Sequence, residues 1–516
     1  MWTRYQLEDF RIVGHFLGVI LILLGAAMGI PLFVALINRE WQPACDFLLS
    51  MGITMSVGSA MLLLKLKTPS LNGRQAILLT GLTWVFISFF GAIPFYLSGH
   101  HASFINAFFE SVSAYTTTGV SILQDPHHLA YSHNIWRLMS MIIGAQGIIA
   151  FAMTVGIFSR SSGAGSLYKA EGKSDSVLPN IIATVRFSII ITCAFVLLGT
   201  FVLTIAGFFQ GMSVSRSLYH AFYLSGSAFS TGGFTPMANN VIYYHSVIFE
   251  STLMILMISG AMNFSLFFTM WGGNFKEFFK NIEVKTLAIW AIIVVVIMGT
   301  ALAHDSALGG SVFTLMRRGV FTVISSISGT GFQTLYTAQF AIAAGPAVMF
   351  AIVLAMGFGG STGSTSGGIK ALRIALIVKS VIADVKRALS PDRAAVRVKY
   401  HHMGERVLDS QTASSAMTVF LLYVITYLIG TMIYVSLGYA PMNAAFDSIA
   451  ATSNAGMSSG VISADMPMLM KVVFILQMWG GRLEFIALLA LFAGLFVTFR
   501  PQALKEKFKE MRESHE

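Results

Sequence analysis

The sequence predicts an all-α, polytopic membrane protein, and three observations support this fold class. Of its 516 residues, 55% are hydrophobic and 11% are charged, whereas roughly 25% of residues are charged in an ordinary soluble domain. Apolar runs long enough to cross a bilayer, about 20 residues each, recur along the chain. A short glycine-containing segment is repeated four times between these runs. The composition therefore argues against a water-soluble fold.

Ten apolar runs are predicted to span the membrane, the eighth of them overlong and broken. They cover residues 14–37, 44–64, 75–97, 135–158, 181–208, 246–271, 286–303, 341–382, 417–437 and 470–499. No small-residue cleavage pattern follows the first run, so we interpret it as a retained helix and not as a signal peptide. Cys45 and Cys193 lie in or beside apolar runs and imply no disulfide framework.

The chain has a formal net charge of +10, and the distribution of its basic residues indicates how the chain is oriented in the membrane. If the N-terminus is cytoplasmic, all but seven of the 33 Lys and Arg residues lie on the inner side, which is the positive-inside pattern of membrane proteins. The seven exceptions are Arg39, Arg137, Arg216, Arg317, Arg318, Lys471 and Arg482. We therefore predict cytoplasmic N- and C-termini, and no nucleic-acid partner.

One nine-residue pattern organises the chain. Its copies are SAYTTTGVS, SAFSTGGFT, SSISGTGFQ and AATSNAGMS, beginning at Ser113, Ser227, Ser325 and Ala450. The seventh residue is always glycine and the eighth is always large and apolar. Each copy follows a stretch of about a dozen residues that is too short to cross a bilayer. The repeat unit is therefore interpreted as helix, half-inserted short helix, extended loop and helix.

Backbone without helical hydrogen bonds is tolerated at membrane depth only where it is buried in protein or lines a water-filled cavity. Four such loops in register predict a central pore, whereas a single copy would be interpreted as an ordinary extramembrane turn. The predicted units are residues 71–165, 166–282, 283–400 and 401–516, the last with a basic cytoplasmic tail. Residues 1–70 form two extra N-terminal spans.

The residue types of the loops indicate a potassium filter, in which rings of backbone carbonyl oxygens replace the hydration shell of the ion. Glycine at the seventh position permits a positive φ. Thr and Ser before it could add hydroxyl oxygens or pin the loop. The short helix would point the negative end of its dipole at the ion. The candidate ion-binding residues are Thr117, Thr118, Gly119, Val120, Thr231, Gly232, Gly233, Phe234, Gly329, Thr330, Gly331, Phe332, Asn454, Ala455, Gly456 and Met457.

The segments TTTGVS, STGGFT, SGTGFQ and SNAGMS, each between two spans, resemble the Trk/Ktr/HKT superfamily of cation transporters over nearly the whole chain. The two extra spans and the length are similar to the Trk-type membrane subunit. The resemblance implies four pore-loop units around one pore, a homodimer within the lipid membrane, and a cytosolic ring of nucleotide-binding, RCK-type (TrkA-like) regulatory subunits. It implies K+ as the transported ion and no organic cofactor on this chain. Because Asn454 and Ala455 depart from the other copies, we expect the fourth loop to be the weakest cation site.

These features predict potassium uptake by channel-like conduction across a bacterial inner membrane. One charge falling through 100 mV gains about 2.3 kcal/mol, so inward current suffices without coupling. The alternative is a symporter coupled to H+ or Na+, which usually binds its substrate at broken helices of inverted repeats. An enzyme is not predicted, since the GMSSG segment at residues 456–460 lacks the strand-turn-helix context of a nucleophile elbow.

The eighth run contains a Gly-Ser-Thr core at residues 357–368 that predicts an unwound segment, because each glycine costs about 1 kcal/mol relative to alanine in a helix. The resemblance implies an intramembrane loop that obstructs the pore at this point. The candidate gate residues are Gly357, Gly359, Gly360, Gly363, Gly367 and Gly368. Flexible packing without gating is the alternative. A phosphate-binding loop is excluded by spacing, because Ile369 separates Gly368 from Lys370.

Arg482 lies in an apolar run, where an unpaired charge costs about 2.5–3.5 kcal/mol on insertion scales. The resemblance implies that it lies near the gate as a positive barrier to cations, and the alternative is an ion pair with Glu484. Glu110 and Asp447 each lie nine residues before a filter glycine. They could concentrate cations at the outer mouth or pin the short helices to neighbouring loops.

Overall fold

The computed structural model describes residues 5–64, 71–147, 181–304, 312–334, 346–391 and 397–499. Within these ranges six helices are long and apolar enough to cross a membrane, or eight if each of two bent helix pairs is one span. Shorter helices occupy the described parts of the other two predicted spans. The all-α polytopic fold class is thus confirmed. Residues 148–158 of the fourth predicted span, Lys65, Lys67, Lys169, Lys173 and the tail from residue 500 lie outside the described ranges.

The two extra spans pack against each other through glycines. They comprise helices α1 (Leu7–Ala27), α2 (Gly29–Ile37) and α3 (Trp41–Leu62). A Cβ atom at Gly18 would lie 2.6 Å from the carbonyl oxygen of Gly58, and one at Gly58 would lie 2.8 Å from that of Gly18. Only glycine permits this approach, which brings α1 and α3 into backbone contact beside the first unit. Cys45 and Cys193 are both free.

The remaining helices are grouped below by the four predicted units. The first unit has α4 (Gly73–Leu97), α5 (Phe104–Tyr115) and α6 (Tyr131–Gln146), and the second has α7 (Ile181–Phe209), α8 (Val214–Phe229), α9 (Val247–Ala261), α10 (Phe264–Trp271) and α11 (Phe275–Lys280). The third has α12 (Ile282–His304), α13 (Val312–Ser328), α14 (Pro346–Gly357) and α15 (Ala371–Ala388), and the fourth has α16 (Ser410–Ser436), α17 (Pro441–Thr452), α18 (Met468–Arg482) and α19 (Ile486–Phe499). Helices α5, α8, α13 and α17 are the short helices that precede the loops, and they are called pore helices below.

More spans are broken than the sequence predicts. Besides the expected break between α14 and α15, helices α9 and α10 meet at 97° and α18 and α19 meet at 115°. At the first of these bends Asn263 caps α10 by accepting a hydrogen bond from the Ser265 amide at 2.8 Å. At the second, Glu484 and Phe485 both adopt left-handed φ values of 55° and 60°. The expectation of a single broken span is therefore wrong.

A small antiparallel hairpin connects the third and fourth units. Its strands, β1 (Lys399–His401) and β2 (Glu405–Val407), pair in register. The His401 ring lies 2.9 Å from the Glu277 carboxylate on α11, and His402 lies 3.9 Å from Glu283 at the start of α12. The side chains of His402 and Glu283 are fully buried. These contacts hold the hairpin against the end of the second unit and the start of the third.

Candidate ion pathway

All four pore helices end in the same hydrogen-bonded cap. In each copy of the nine-residue pattern, the amide of the sixth residue donates to the carbonyl of the first residue. The distance is 3.0 Å in the copy that begins at Ser325 and 2.9 Å in the other three. The amide of the fifth residue donates to the carbonyl of the second at 3.0–3.2 Å. These two bonds define a Schellman motif, which closes a helix with one left-handed residue. The repeated sequence is therefore a helix cap that continues into a loop.

The fifth residue of every copy is the left-handed residue that this cap requires. Its φ is 54° at Thr117, 50° at Thr231, 73° at Gly329 and 52° at Asn454. Glycine is favoured there and asparagine is the usual second choice, so Asn454 suits its position. The two threonines are strained, because a β-branched residue rarely adopts positive φ. Asn454, where the other copies have Thr or Gly, thus keeps the left-handed backbone conformation of the cap.

The seventh residues close the four loops into a ring. Their φ values are 78° at Gly119, 76° at Gly233, 84° at Gly331 and 64° at Gly456. A Cβ atom at each of these glycines would overlap the carbonyl oxygen of the sixth residue in another loop. The pairs are Gly119 with Gly232, Gly233 with Thr330, Gly331 with Ala455, and Gly456 with Thr118. The contacts run from the first loop to the second, third and fourth and back to the first.

The same contacts bring four equivalent carbonyl oxygens around one axis. They belong to the residues before the seventh-position glycines, namely Thr118, Gly232, Thr330 and Ala455. The Ala455 carbonyl takes the same place as the other three, so the backbone of the fourth loop does not depart from the pattern here. Its expected weaker binding of cations remains a prediction about affinity.

The eighth residues anchor the loops from behind. Val120, Phe234, Phe332 and Met457 are at most 2% exposed, and each packs in a different apolar cluster. Their side chains point into the protein, which leaves only their backbone available to an ion. The hydroxyl groups pin the loops as well. The Thr116 and Thr118 hydroxyls lie 2.7 Å apart, and those of Ser328 and Thr330 lie 2.8 Å apart.

The unwound segment between α14 and α15, residues 358–370, is called the gate loop below after its predicted role. Its two ends meet in a parallel bridge between Phe358 and Ile369. The Ser361 amide donates to the Ala261 carbonyl at 2.9 Å, and the Thr365 amide donates to the Gly260 carbonyl at 3.1 Å. The loop is thus bonded to the break between α9 and α10 in the second unit.

The gate loop touches three of the four repeated loops directly, and the repeated loops are called filter loops below after their predicted role. The Thr231 hydroxyl donates to the Thr365 hydroxyl at 3.1 Å. A Cβ atom at Gly367 would lie 2.6 Å from the Ser453 carbonyl, and one at Gly329 would lie 3.0 Å from the Ser366 hydroxyl. The second, third and fourth filter loops therefore all contact this segment.

The predicted gate glycines have different roles. Gly363 and Gly368 adopt φ values of +66° and +72°. A Cβ atom at Gly359 would overlap the Gly367 carbonyl oxygen, and one at Gly360 would lie 2.5 Å from the Ala261 carbonyl oxygen. By contrast, a Cβ atom at Gly357 would meet nothing within 4 Å. Gly357 ends α14, but no close approach requires a glycine there.

Arg482 joins the gate loop to the first filter loop. Its guanidinium donates to the Thr365 carbonyl at 2.7 Å, to the Thr117 hydroxyl at 3.1 Å and to the Gly144 carbonyl at 2.7 Å. Glu484 instead pairs with Arg373 on α15. The placement of Arg482 near the gate loop agrees with the sequence-based expectation, and Glu484 has a different ionic partner.

Glu110 and Asp447 are fully buried. They are therefore placed to hold the pore helices to neighbouring segments and are not exposed charges at an outer mouth. Glu110 accepts from the Ser121 hydroxyl at 2.8 Å and pairs with Arg137 at 2.9 Å. Asp447 accepts from the Ser459 amide at 3.0 Å and from the Ser459 hydroxyl at 2.6 Å. Each carboxylate ties a pore helix to the segment after its own filter loop.

Sequence reasoning missed the anchors of the gate loop. The fully buried Glu283 accepts hydrogen bonds from the Thr362 amide and hydroxyl, both at 2.8 Å, and Lys370 donates to the Ser366 carbonyl. Glu283 stands in the first turn of a span and has the appearance of an ordinary helix-start acid. Only a buried partner 79 residues away gives it another role, and the sequence has no signal for that partner.

Comparisons with known proteins bear on this geometry. The model of the TrkH family, described as a cation transport protein, matches residues 46–497. A protein of Methanocaldococcus jannaschii named as an uncharacterized cation transporter is 29% identical and covers 96% of this chain and 97% of its own length. The Trk system potassium uptake protein TrkH of Escherichia coli K12 is 27% identical over 94% of this chain and 99% of its own.

A solved structure shares the fold. The crystal structure of the potassium transporter TrkH from Vibrio parahaemolyticus superposes with a TM-score of 0.78 and covers 96% of this chain and 99% of its own, at 22% identity. The likeness extends over the extra spans as well as the four units.

Proposed function

The chain belongs to the TrkH family of cation transport proteins, and we propose that it takes up potassium by conduction through the ring of four filter loops. Its membership confirms the resemblance seen in the sequence. The members of the family are transporters and not enzymes. The GMSSG segment, which begins at the filter residue Gly456, is accordingly part of a membrane pathway.

The observation that carries this proposal is the cyclic contact between seventh-position glycines and sixth-position carbonyls. Four carbonyl oxygens around one axis can replace the water molecules around a dehydrated potassium ion. The pore helices end at the same loops, so the negative ends of their dipoles favour a cation there. The names of the relatives, several of which are potassium uptake proteins, support potassium as the ion.

In our proposal, the gate loop and Arg482 close this pathway. The loop contacts the second, third and fourth filter loops from one side, and Arg482 adds a fixed positive charge that contacts the first. A cation leaving the ring would meet both. Opening therefore requires the loop, and Thr365 with it, to move away from Thr231 and Arg482.

A partner supplies that movement in our proposal. The protein is a homodimer in a bacterial inner membrane with cytoplasmic termini, and it binds a ring of TrkA-like, nucleotide-binding subunits. The basic connection from Lys386 to Arg406, including the hairpin, offers the binding surface. Because His402 lies beside Glu283 and Glu283 holds Thr362, a partner that moves the hairpin would pull on the gate loop.

Rubidium flux into liposomes tests the proposed function. We expect uptake to follow an imposed membrane potential and to be independent of sodium and proton gradients. Uptake that requires one of these gradients at zero potential would establish the symport alternative instead. Equal uptake of sodium and rubidium would contradict the potassium filter.

A further inference from the structure

An apolar cavity of about 390 Å³ lies between α12 and α15, directly beside the gate loop. Phe358 and Gly359 of the gate loop form part of its wall, together with Trp290 and Ile374. The Trp290 and Phe358 rings meet edge to face, with their centroids 4.3 Å apart. Whatever fills the cavity therefore touches the start of the gate loop.

The cavity opens towards the surroundings of the protein. Only 11% of the most apolar stretch of α12 is buried, against 67% for α4. Two further wall residues, Ile289 and Val378, are 59% and 53% exposed. Apolar cavities do not hold water, so a hydrocarbon chain from the bilayer is the occupant that suits this wall.

Two lysines line the cavity, Lys285 in the first turn of α12 and Lys379 midway along α15. Lys285 follows the basic residues Lys276 and Lys280. Lys379 lies about two helical turns before Lys386. The nearby acidic groups already have partners, since Glu277 contacts His401, Glu283 binds Thr362 and Asp384 pairs with Arg387. The two ammonium groups thus offer positive charge to an external anion.

We infer that this cavity binds an anionic phospholipid of the cytoplasmic leaflet, with an acyl chain against Trp290 and Phe358 and a phosphate headgroup between Lys285 and Lys379. Basic pockets between membrane helices on the cytoplasmic side are suited to anionic headgroups. The bound chain supports the gate loop in the position described and so opposes opening. This effect on flux rests on the gate proposed above, whereas binding of the lipid does not.

Fluorescence quenching by brominated lipids tests the binding. The contribution of Trp290 is obtained as the difference between the wild type and Trp290→Phe, in vesicles of brominated phosphatidylglycerol mixed with phosphatidylcholine. We expect the anionic lipid to exceed brominated phosphatidylcholine in relative affinity by about fivefold or more for each lysine, the equivalent of about 1 kcal/mol. The Lys285→Gln/Lys379→Gln variant should lose this preference. The control Lys386→Gln removes an exposed charge from α15 outside the cavity and should keep it.

Equal quenching of Trp290 by the two lipids in the wild type would overturn the lipid site. For the gate, rubidium flux of the wild type should be several-fold higher in phosphatidylcholine alone than with phosphatidylglycerol, and the double-glutamine variant should not respond. Selective quenching with a flux that ignores lipid composition would overturn the link to the gate. Absence of potential-driven flux in every lipid would contradict the proposed function, and the quenching result would still decide the lipid site.

Discussion

The filter ring and the gate loop are both irregular backbone inside a membrane protein, yet they are held in opposite ways. Each filter loop is a Schellman cap whose hydrogen bonds link residues three or five apart, as from Thr118 to Ser113. The gate loop is anchored by partners far along the chain, such as Glu283 and Arg482. The caps that shape the ring are local and repeated four times, whereas the anchors of the gate loop are long-range and occur once.

This difference separates the two kinds of damage that a mutation can cause. A side chain added within the ring should alter the ion path itself, because the neighbouring loop has no room to move. Loss of a distant anchor should leave the ion path intact and release the gate loop. The ring should therefore lose rate or selectivity on mutation, and the gate should gain flux.

The largest effect is expected for Gly119→Ser, whose Cβ would overlap the Gly232 carbonyl oxygen. We expect sodium permeability to rise relative to potassium, measured as the reversal potential in mixed salts. The matched control is Gly99→Ser. Gly99 has a similar φ of 74°, against 78° at Gly119, but a Cβ atom there meets nothing within 4 Å. An unchanged reversal potential in Gly119→Ser would show that the ring does not select ions.

Arg482→Ala should raise rubidium flux without any partner, because it removes the charge that joins Thr365 to Thr117. Deletion of residues 363–367 should do the same. Arg387→Ala is the control, since this arginine forms an exposed pair with Asp384 on α15. If the purified variants and the wild type leak equally in liposomes, the gate is elsewhere.

Glu283→Gln should raise basal flux less than Arg482→Ala does. Glutamine can still accept from Thr362, but a hydrogen bond to a charged acceptor contributes about 1.5–3 kcal/mol, against about 1 kcal/mol for a neutral one. The control Glu277→Gln affects the contact with His401 and leaves the Thr362 anchor in place. Equal flux in the two variants would indicate that the Thr362 anchor does not hold the gate.

The smallest effect is expected for Ala455→Gly. The Ala455 carbonyl already occupies the same place as that of Gly232. A glycine at position 455 adds only backbone flexibility, so we expect the potassium-to-sodium permeability ratio to change by less than about twofold. Reversal potentials again provide the measurement. A large gain in potassium selectivity would mean that the fourth loop is the weak site that its sequence predicts.

The sequence predicts the ring better than it predicts the gate. The repeated seventh glycine and eighth apolar residue are visible because four copies can be compared, and the break at residues 357–368 is visible because glycine is unfavourable in helices. The left-handed Thr117 and Thr231 could not be predicted, since threonine disfavours that conformation. The bend at Glu484 and Phe485 contains no glycine and lies within an apolar run. The sequence therefore shows no sign of it.

The roles of single charges also required three-dimensional information. Glu110 and Asp447 fit either a cation-attracting mouth or a pin when only their spacing is known. Burial decides between these possibilities, because both carboxylates contact the chain 11 or 12 residues further on. Similarly, the partner of Glu484 is Arg373, which lies in another unit.

The seam between the first and fourth filter loops has a consequence for biosynthesis. Here Gly456 meets the Thr118 carbonyl, and the Asn454 amide group donates to the Thr118 hydroxyl at 2.8 Å across 336 residues of chain. Chains fold from the N-terminus as they are synthesised, so the ring stays incomplete until the last unit has entered the membrane. A ribosome that stalls earlier leaves three loops without a closed ring. Under the proposed function, the gate loop at residues 358–370 is therefore synthesised before the fourth filter loop completes the ring.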